Sequence, residues 1–263
     1  PFFKPLLDRL PNLKLLLTSG MVNRSIDVAA ANANGIVVCG SRSSSSSTPE
    51  LTWGLIIALA RRIPAEDRNV REGRWQESIG VGLMGRTLGI VGLGHLGVPV
   101  AKVGLAFGMK VAVWSPHMSQ ERADSAMPGL VAVSKDEMMA GSDFITIHMP
   151  LGPRSEGLIG AADIARMKPS SYLINTSRGP IVDQEALYAA VRSGKIAGVG
   201  LDVYDIEPLP RDHPVRSLPN SVMTPHLGFV EEGAYRRHFA EAIENIESWL
   251  KGTPTRVISP SSD

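Results

Sequence analysis

Cysteine is almost absent from this 263-residue chain. The single thiol, Cys39, cannot form a disulfide within the chain, so nothing in the sequence demands an oxidising compartment, and we expect the protein in the cytoplasm. An excess of either charge is also missing, because 27 Lys and Arg face 26 Asp and Glu for a formal net charge of +1. This balance, without a block of one sign, disfavours nucleic acid and a membrane surface as partners.

Long apolar runs and metal-ligand spacings are missing too. Runs such as residues 55–60 are far shorter than the roughly 18 residues of a membrane-spanning helix, and no signal segment is recognisable. The six histidines include no His-Glu-x-x-His or paired-cysteine spacing, so we expect no metal site. The chain begins with Pro1 rather than Met, and we expect its native N-terminus to lie elsewhere.

Short apolar segments alternate with longer amphipathic or Ala-rich segments along most of the chain. This alternation indicates βαβ units and therefore an α/β fold with a mostly parallel sheet. Residues 68–78 are polar and predict a loop. The predicted strands cover residues 13–18, 35–39, 87–91, 110–114, 144–148, 172–175, 197–201 and 221–224, and the longer predicted helices cover 48–62, 96–107, 184–193 and 231–251.

A serine-rich tract at residues 41–47 predicts a domain boundary, because serine offers neither apolar surface nor stiffness. Thr48, Pro49 and Glu50 follow as a capping residue, a first-turn proline and an acid near the positive helix end, which predicts the start of a helix. We expect a dinucleotide-binding domain over residues 48–230 and a smaller domain formed by residues 1–47 and 231–263.

Two G-x-G-x-x-G patterns occur close together, and their context separates them. The pattern at residues 80–85 precedes a strand, which is the wrong order for a phosphate-binding loop. The pattern from Gly92 to Gly97, with Gly94, His95 and Leu96 inside it, follows a strand and opens a helix. That order predicts a dinucleotide-binding loop, with the phosphates at the helix N-terminus.

The strand at residues 110–114 ends in Ser115, where an acid would normally bind the adenine ribose of NAD. Without that carboxylate, no negative charge repels a 2′-phosphate. His117 and Arg122, which are close to Ser115 in sequence, could face such a phosphate. An Arg directly after the strand, the stronger signal for NADP, is absent. NAD and NADP both remain open, with a slight lean to NADP.

Three polar side chains follow predicted strands: Arg178, Glu207 and His226. The carboxyl ends of parallel strands meet at one edge of a sheet, where ligands bind. Arginine pairs with carboxylates, histidine exchanges a proton near neutral pH, and a neighbouring glutamate orients its ring. The residue types alone leave open that the three are unrelated. His148 ends a strand and either lines the cofactor cleft or has a structural role, and His213, in a Pro-rich turn, is predicted to be exposed.

Several motifs then resemble those of the D-isomer-specific 2-hydroxyacid dehydrogenase family, in that family's order and over nearly the whole chain. Arg178 and Glu207 are 29 residues apart, and Glu207 and His226 are 19 apart, which is typical of the family. The motifs are the glycine loop at residues 92–97 and the segments at residues 148–151, 175–183, 201–208 and 225–228.

The resemblance implies a Rossmann-type, doubly wound sheet with a second, smaller flavodoxin-like domain, here incomplete at its N-terminus. It implies that Arg178 binds the substrate carboxylate, that His226 is the proton donor and acceptor, and that Glu207 is its partner. Backbone N–H groups of Met21 and Val22 would also hold the carboxylate, although many members have Gly where this chain has Val22. The residues expected to contact the cofactor are Gly92, Gly94, His95, Leu96, Gly97, Ser115, His148, Pro150, Thr176, Asp202 and Gly228.

The function that follows is hydride transfer between a nicotinamide cofactor, NAD or NADP, and a small D-2-hydroxy acid or 2-keto acid. A different class stays open, because some proteins that resemble this family are dinucleotide-sensing regulatory modules. The predicted helix at residues 51–60 has more apolar surface than packing of one helix face would bury. In the family that the chain resembles, the corresponding region joins two subunits. We therefore expect a homodimer, with burial inside one subunit as the alternative.

Overall fold

The computed structural model describes residues 1–42 and 47–260. The chain divides into two compact units, one formed by Pro1–Ser44 with Phe229–Asp263 and the other by Ser45–Gly228. The predicted domain limits, at residues 48 and 230, lie within three residues of these divisions. Most of the serine-rich tract, residues 43–46, lies outside the described part of the chain.

The described residues of the smaller unit form a two-stranded parallel sheet and three helices. Asp27 begins the second helix, because its side chain accepts a hydrogen bond from the Ala30 N–H at 2.9 Å. Leu7, Ile36 and Val38 are buried in the small core. The elements are α1 (Lys4–Leu7), β1 (Leu15–Leu17), α2 (Val28–Ala33), β2 (Val37–Cys39) and the last helix of the chain, α10 (Glu232–Leu250).

The larger unit is built on a seven-stranded sheet whose strands all pair in parallel, in the order β5-β4-β3-β6-β7-β8-β9. The order reverses between β3 and β6, as in a doubly wound sheet. The predicted α/β class and Rossmann-type sheet are therefore confirmed. The strands are β3 (Thr87–Val91), β4 (Lys110–Trp114), β5 (Leu130–Ala132), β6 (Phe144–Ile147), β7 (Tyr172–Asn175), β8 (Gly198–Leu201) and β9 (Ser221–Met223).

Helices cover both faces of this sheet. On one face α3 (Ser47–Ala60) and α5 (Gly97–Ala106) pack against buried Phe144 and Ile174. Side chains two residues apart on a strand share a face, so the neighbouring Ile145 belongs to the core on the other side. The remaining helices are α4 (Ile63–Arg71), α6 (Gln120–Ala126), α7 (Lys135–Gly141), α8 (Ala161–Arg166) and α9 (Gln184–Arg192).

The region predicted as a polar loop, residues 68–78, is in part helical. Helix α4 runs over Ile63–Arg71, with Pro64 in its first turn, Glu66 near its start and Arg68 and Arg71 in its last turn. These charges oppose the helix dipole at both ends, which stabilises a helix whose residues are mostly polar or charged.

The strand ends of the large sheet lie in register. Val91 of β3 pairs with Trp114 of β4 and Ile147 of β6, and Asn175, Leu201 and Met223 continue the same row across β7, β8 and β9. The residue after each of these positions therefore lies at one edge of the sheet. This edge carries the candidate functional site.

Candidate functional site

Five residues predicted to contact a cofactor occupy one row. Each is the first residue after the aligned strand ends described above, so the parallel register places them side by side. In the order of the sheet they are Ser115, Gly92, His148, Thr176 and Asp202. The reversal of strand order falls between Gly92 and His148, where doubly wound sheets bind their ligands.

The glycine loop has a backbone that requires glycine at two of its positions. Gly92 has φ of +95°, and a side chain on Gly97 would collide with the Gly92 carbonyl oxygen, so both positions need glycine. Gly94 is exposed, and a Cβ there would meet nothing within 4 Å. Helix α5 starts at Gly97, and its N-cap residue, Leu96, has no side-chain oxygen for the first N–H groups. These donors and the helix dipole can hold phosphate oxygens.

Polar or charged side chains also occur in the loops that follow β3 and β4. In the loop after β3, the side chain of His95 is exposed. After β4, the Ser115 carbonyl accepts from the Met118 N–H at 3.0 Å, which turns the chain. Arg122 then donates from Nη1 to the His117 carbonyl at 2.7 Å. A guanidinium therefore lies beside the loop that follows Ser115.

The ring of His148 is buried at the end of β6, with 8% of the residue exposed. Neither ring nitrogen has a hydrogen-bond partner among the described residues. Burial lowers the pKa of His148 to about 4, because a charged ring would lose its hydration there. His148 is thus a neutral histidine in the row of strand ends.

Polar contacts hold the chain after β7. The Thr176 hydroxyl lies 2.8 Å from the Thr52 hydroxyl of α3. Asn175 accepts from the Ser177 N–H at 3.0 Å and donates to the Arg178 carbonyl at 2.9 Å. The Ser177 hydroxyl donates to the Met149 carbonyl at 2.5 Å. These bonds join the segment after β7 to α3 and to the turn that contains Pro150.

Asp202 is fully buried and binds the turn after β9. Its Oδ1 accepts from the Thr224 hydroxyl at 2.6 Å and the Leu227 N–H at 2.7 Å, and its Oδ2 accepts from the Gly228 N–H at 2.8 Å. Burial raises the pKa of Asp202, although these donors and the charge of His226 act in the opposite direction. What the structure shows for Asp202 and Gly228 is a contact with each other, whereas contact with a cofactor stays a prediction.

Glu207 and His226 are in direct contact: Glu207 Oε2 lies 2.6 Å from His226 Nδ1. An ionised carboxylate only accepts hydrogen bonds, so Nδ1 carries the proton of this bond. The Tyr204 N–H donates to the other carboxylate oxygen at 2.8 Å. About a third of each side chain is exposed, so the pair is open to solvent.

His226 has a backbone conformation that few non-glycine residues adopt, with φ of +56°. Its N–H donates to the Asp202 carbonyl at 2.8 Å, and Asp202 also binds the next two N–H groups. Such a conformation persists only where surrounding contacts determine it, and it is common at functional sites. The backbone is therefore held to point the imidazole at Glu207.

Arg178 follows β7 at the same sheet edge, with an exposed side chain whose Nη1 donates to the Ser177 carbonyl at 2.6 Å. A side chain at Gly179 would collide with the Tyr204 carbonyl, so the Arg178 segment packs against the start of the Glu207 loop. The structure thus brings Glu207 and His226 into contact and places the backbone beside Arg178 against the segment that carries Glu207.

The predicted substrate loop lies in the smaller unit. Its Gly20 N–H donates to the Ser41 hydroxyl at 3.2 Å, and Met21 packs against Gly40. Val22 is 81% exposed. Binding of a carboxylate by the N–H groups of Met21 and Val22 stays a prediction.

Three residues that hold the site were not predicted from the sequence: Thr52, Tyr204 and Thr224. Thr224 offered a signal, since it is the first residue after β9 and lies in the same row as the predicted residues. His213, predicted to be exposed, is instead largely buried, with 11% of its side chain accessible.

Among residues 1–42 and 47–260, no group of three or more His, Cys, Asp or Glu could hold a metal ion. Of the helices described, none is long and apolar enough to cross a bilayer.

The low pKa of His148 predicts an acid-sensitive stability. Between pH 6.5 and about 4 the unfolded chain binds a proton at this residue that the folded protein does not, so stability falls as pH falls through that window. Urea unfolding should show that the parent loses roughly 2 kcal/mol more between pH 7.5 and pH 5 than His148→Leu.

The exposed His117 provides the control for this comparison. His117→Leu should lose stability with pH as the parent does. Equal acid sensitivity of the parent and His148→Leu would contradict a buried, neutral His148.

Comparisons with known proteins agree with this geometry. Residues 53–228 match the family model of the D-isomer specific 2-hydroxyacid dehydrogenase, NAD binding domain. The chain is 39% identical to the D-3-phosphoglycerate dehydrogenase of Archaeoglobus fulgidus, over 93% of this chain and 47% of that protein. It is 34% identical to the glyoxylate reductase of Korarchaeum cryptofilum, over 96% and 77%.

The phosphoglycerate oxidoreductase structure from Vibrio cholerae has a TM-score of 0.91 and 36% identity, covering 96% of this chain and 81% of that one. The chain spans about half the length of the phosphoglycerate dehydrogenases that it matches. The family model alone covers more than half of the chain. The chain belongs to the D-isomer-specific 2-hydroxyacid dehydrogenase family.

Proposed function

We propose that this protein is a D-2-hydroxyacid dehydrogenase that reduces small 2-keto acids and oxidises the corresponding 2-hydroxy acids. The observation that carries the proposal is the 2.6 Å contact between Glu207 and His226 at the edge of the sheet where the glycine loop lies. The relatives reported above are named as dehydrogenases and a reductase, which favours an enzyme over a dinucleotide sensor. A bound nicotinamide dinucleotide would supply or accept the hydride.

In this proposal, His226 moves the proton. Nδ1 is engaged by Glu207, so we assign proton donation to the 2-keto oxygen to Nε2, with the same atom as acceptor in the reverse direction. The Glu207 carboxylate orients the ring and stabilises its charged form. Arg178 would bind the substrate carboxylate through its planar guanidinium.

The cofactor site is proposed to follow the row of strand ends. The phosphates would lie on the N–H groups from Gly94 to Gly97, where the structure leaves space and helix α5 begins. His148, Pro150, Thr176 and Asp202 are proposed to border the nicotinamide side, with His95 and Gly228 at the margins. We infer that NADP is accepted, because Ser115 leaves out the repelling acid and Arg122 lies beside the same loop.

A homodimer is also proposed, but on different residues from those that the sequence suggested. Trp53, Leu55, Ile56 and Leu59 of α3 are buried within one chain, so the apolar surface of that helix is already covered. Large apolar side chains are instead exposed on α4 and on the segment that follows it, which supports an interface there. They are Ile63, Val70, Trp75, Ile79 and Met84. A cytoplasmic location stays the expectation from the single cysteine.

Loss of the proton donor should slow turnover and spare cofactor binding. In a spectrophotometric assay with NADPH and glyoxylate or hydroxypyruvate, His226→Ala should turn over roughly 10²- to 10⁴-fold more slowly. The Kd for NADPH, measured by fluorescence titration, should stay within about twofold. Normal turnover of His226→Ala would reject the proton-donor role.

Glu207→Gln removes the negative charge next to the same ring, so the protonated imidazole is favoured less. Keto-acid reduction needs that protonated form. Reduction therefore falls as the pH rises and the imidazole loses its proton. The pH at which it has fallen to half its maximum should be lower for Glu207→Gln than for the parent. An unchanged pH profile would argue against a functional pair of Glu207 and His226.

Gly94 should tolerate a methyl group structurally but not functionally. Gly94→Ala places a Cβ in open space, so the thermal stability of the free protein should stay unchanged, whereas the phosphates lose their close approach to the backbone. We expect NADPH binding, measured by isothermal titration calorimetry, to weaken about tenfold or more. Gly97→Ala is the contrasting variant, since its methyl would collide with the Gly92 carbonyl and should lower stability itself. Unchanged affinity in Gly94→Ala would place the phosphates elsewhere.

Cofactor choice should depend on the loop after β4. Arg122→Ala removes a cation near the proposed 2′-phosphate and should lower kcat/KM for NADPH about tenfold with little effect for NADH. Ser115→Asp should favour NADH, because an acid binds the ribose hydroxyls and repels the phosphate. Lys110→Ala, at the opposite end of β4, serves as the matched control. Equal effects of Arg122→Ala on both cofactors would contradict the assignment.

A further inference from the structure

Glu207 lies in a segment that regular structure does not hold. Residues 202–213, between β8 and a 3₁₀ turn over Pro214–Ser217, contain no helix or strand. Pro208 and Pro210 lack N–H groups, so this part of the chain has few donors with which to fix itself. The contact with His226 nevertheless needs Glu207 placed within tenths of an ångström. Side-chain contacts must therefore provide that placement.

The start of the segment is fixed by Tyr204. Its hydroxyl lies 3.2 Å from the Leu201 carbonyl and 3.0 Å from the Thr224 carbonyl, which joins it to the ends of β8 and β9. Its N–H donates to Glu207 Oε1. These bonds hold the chain before Glu207 but leave the chain after it unaccounted for.

Arg216, in the 3₁₀ turn, holds the chain after Glu207. Its Nε donates to the Pro210 carbonyl and its Nη2 donates to the Leu209 carbonyl, both at 2.7 Å. Two parallel bonds from one planar, charged group fix both position and orientation. The two carbonyls belong to the second and third residues after Glu207.

A second contact joins the early part of the segment to its last residue. The Val215 N–H donates to His213 Nδ1 at 3.3 Å, so this nitrogen is the acceptor and the ring proton sits on Nε2. Nε2 lies 3.5 Å from Asp205 Oδ1, and the ring packs edge-on against Tyr188. Asp205, two residues before Glu207, and His213, the last residue of the segment, are thus held next to each other.

We propose that Arg216 is a positioning residue that acts through Glu207, supported by the contact between His213 and Asp205. The kinetic part of this inference rests on the proposed function, because correct placement of Glu207 affects the rate only through proton transfer by His226. The geometric part, that Arg216 keeps Glu207 on the imidazole, stands independently of which substrate is used.

The kinetic test compares two arginines of one region. Arg216→Met keeps the aliphatic stem and removes the guanidinium, whereas Arg211→Met changes an exposed arginine five residues away. Arg216→Met should lower kcat for keto-acid reduction about tenfold and move the half-maximal pH in the same direction as Glu207→Gln. Arg211→Met should leave both unchanged. A lower melting temperature with an unmoved pH profile would mean that Arg216 is merely structural and would overturn the proposal.

A double-variant comparison asks whether Arg216 acts through Glu207. If it does, Arg216→Met should slow Glu207→Gln by less than about twofold, because the group to be positioned has already been lost. If the rate of the double variant is instead reduced by the product of the two single-variant factors, the proposal is contradicted.

A spectroscopic readout separates this inference from the proposed function. The Nδ1 proton of an imidazole in a short bond to a carboxylate should give a strongly downfield ¹H NMR signal, assigned by its loss in His226→Gln. Arg216→Met should broaden or remove that signal, and Arg211→Met should retain it. If no keto acid is turned over but the signal behaves this way, the enzyme proposal fails and the positioning role stands. An unchanged signal in Arg216→Met would overturn the positioning role whatever the activity.

Discussion

The buried carboxylate of Asp202 is the constraint on which the site depends. It lies directly after β8 and accepts hydrogen bonds from Thr224, Leu227 and Gly228, all after β9. Removal of a buried acceptor that serves three donors would leave those donors unsatisfied, which is costly at each position. The turn between them is therefore forced into one conformation, and His226 adopts its left-handed φ as a result.

The two halves of the proposed active site are held by different means. The row of residues after the strand ends follows from sheet register, since every member comes directly after a paired strand end. Glu207 has no such register. Its carboxylate accepts from the Tyr204 N–H, and Arg216 donates to the carbonyls of Leu209 and Pro210, which follow Glu207 in the chain. The first half is fixed by the cooperative core, whereas the second is fixed by a few polar bonds near the surface.

These differences explain how far the sequence could predict the structure. Apolar strands followed by Gly92, Arg178 or His226 identify the sheet edge, because strand ends of a parallel sheet coincide whatever the loops do. Helix α4 was missed because its charged residues were interpreted as a loop, whereas the placement of those charges at its two ends favours a helix. The burial of His213 and the bonds of Arg216 depend on how an irregular, Pro-rich segment folds back, which no local pattern reports.

The central claim is that hydride from a nicotinamide cofactor reaches C2 of a 2-keto acid while His226 supplies the proton to its oxygen. Isotope transfer tests this most directly: the protein is incubated in ordinary water with a 2-keto acid and a reduced cofactor deuterated at C4 of the nicotinamide. We predict that mass spectrometry of the hydroxy acid will find one deuterium on C2, in the D-isomer, and none when unlabelled cofactor is used. A product without deuterium on C2 from cofactor deuterated on either face, or no product from any keto acid with the full-length protein, would contradict the account.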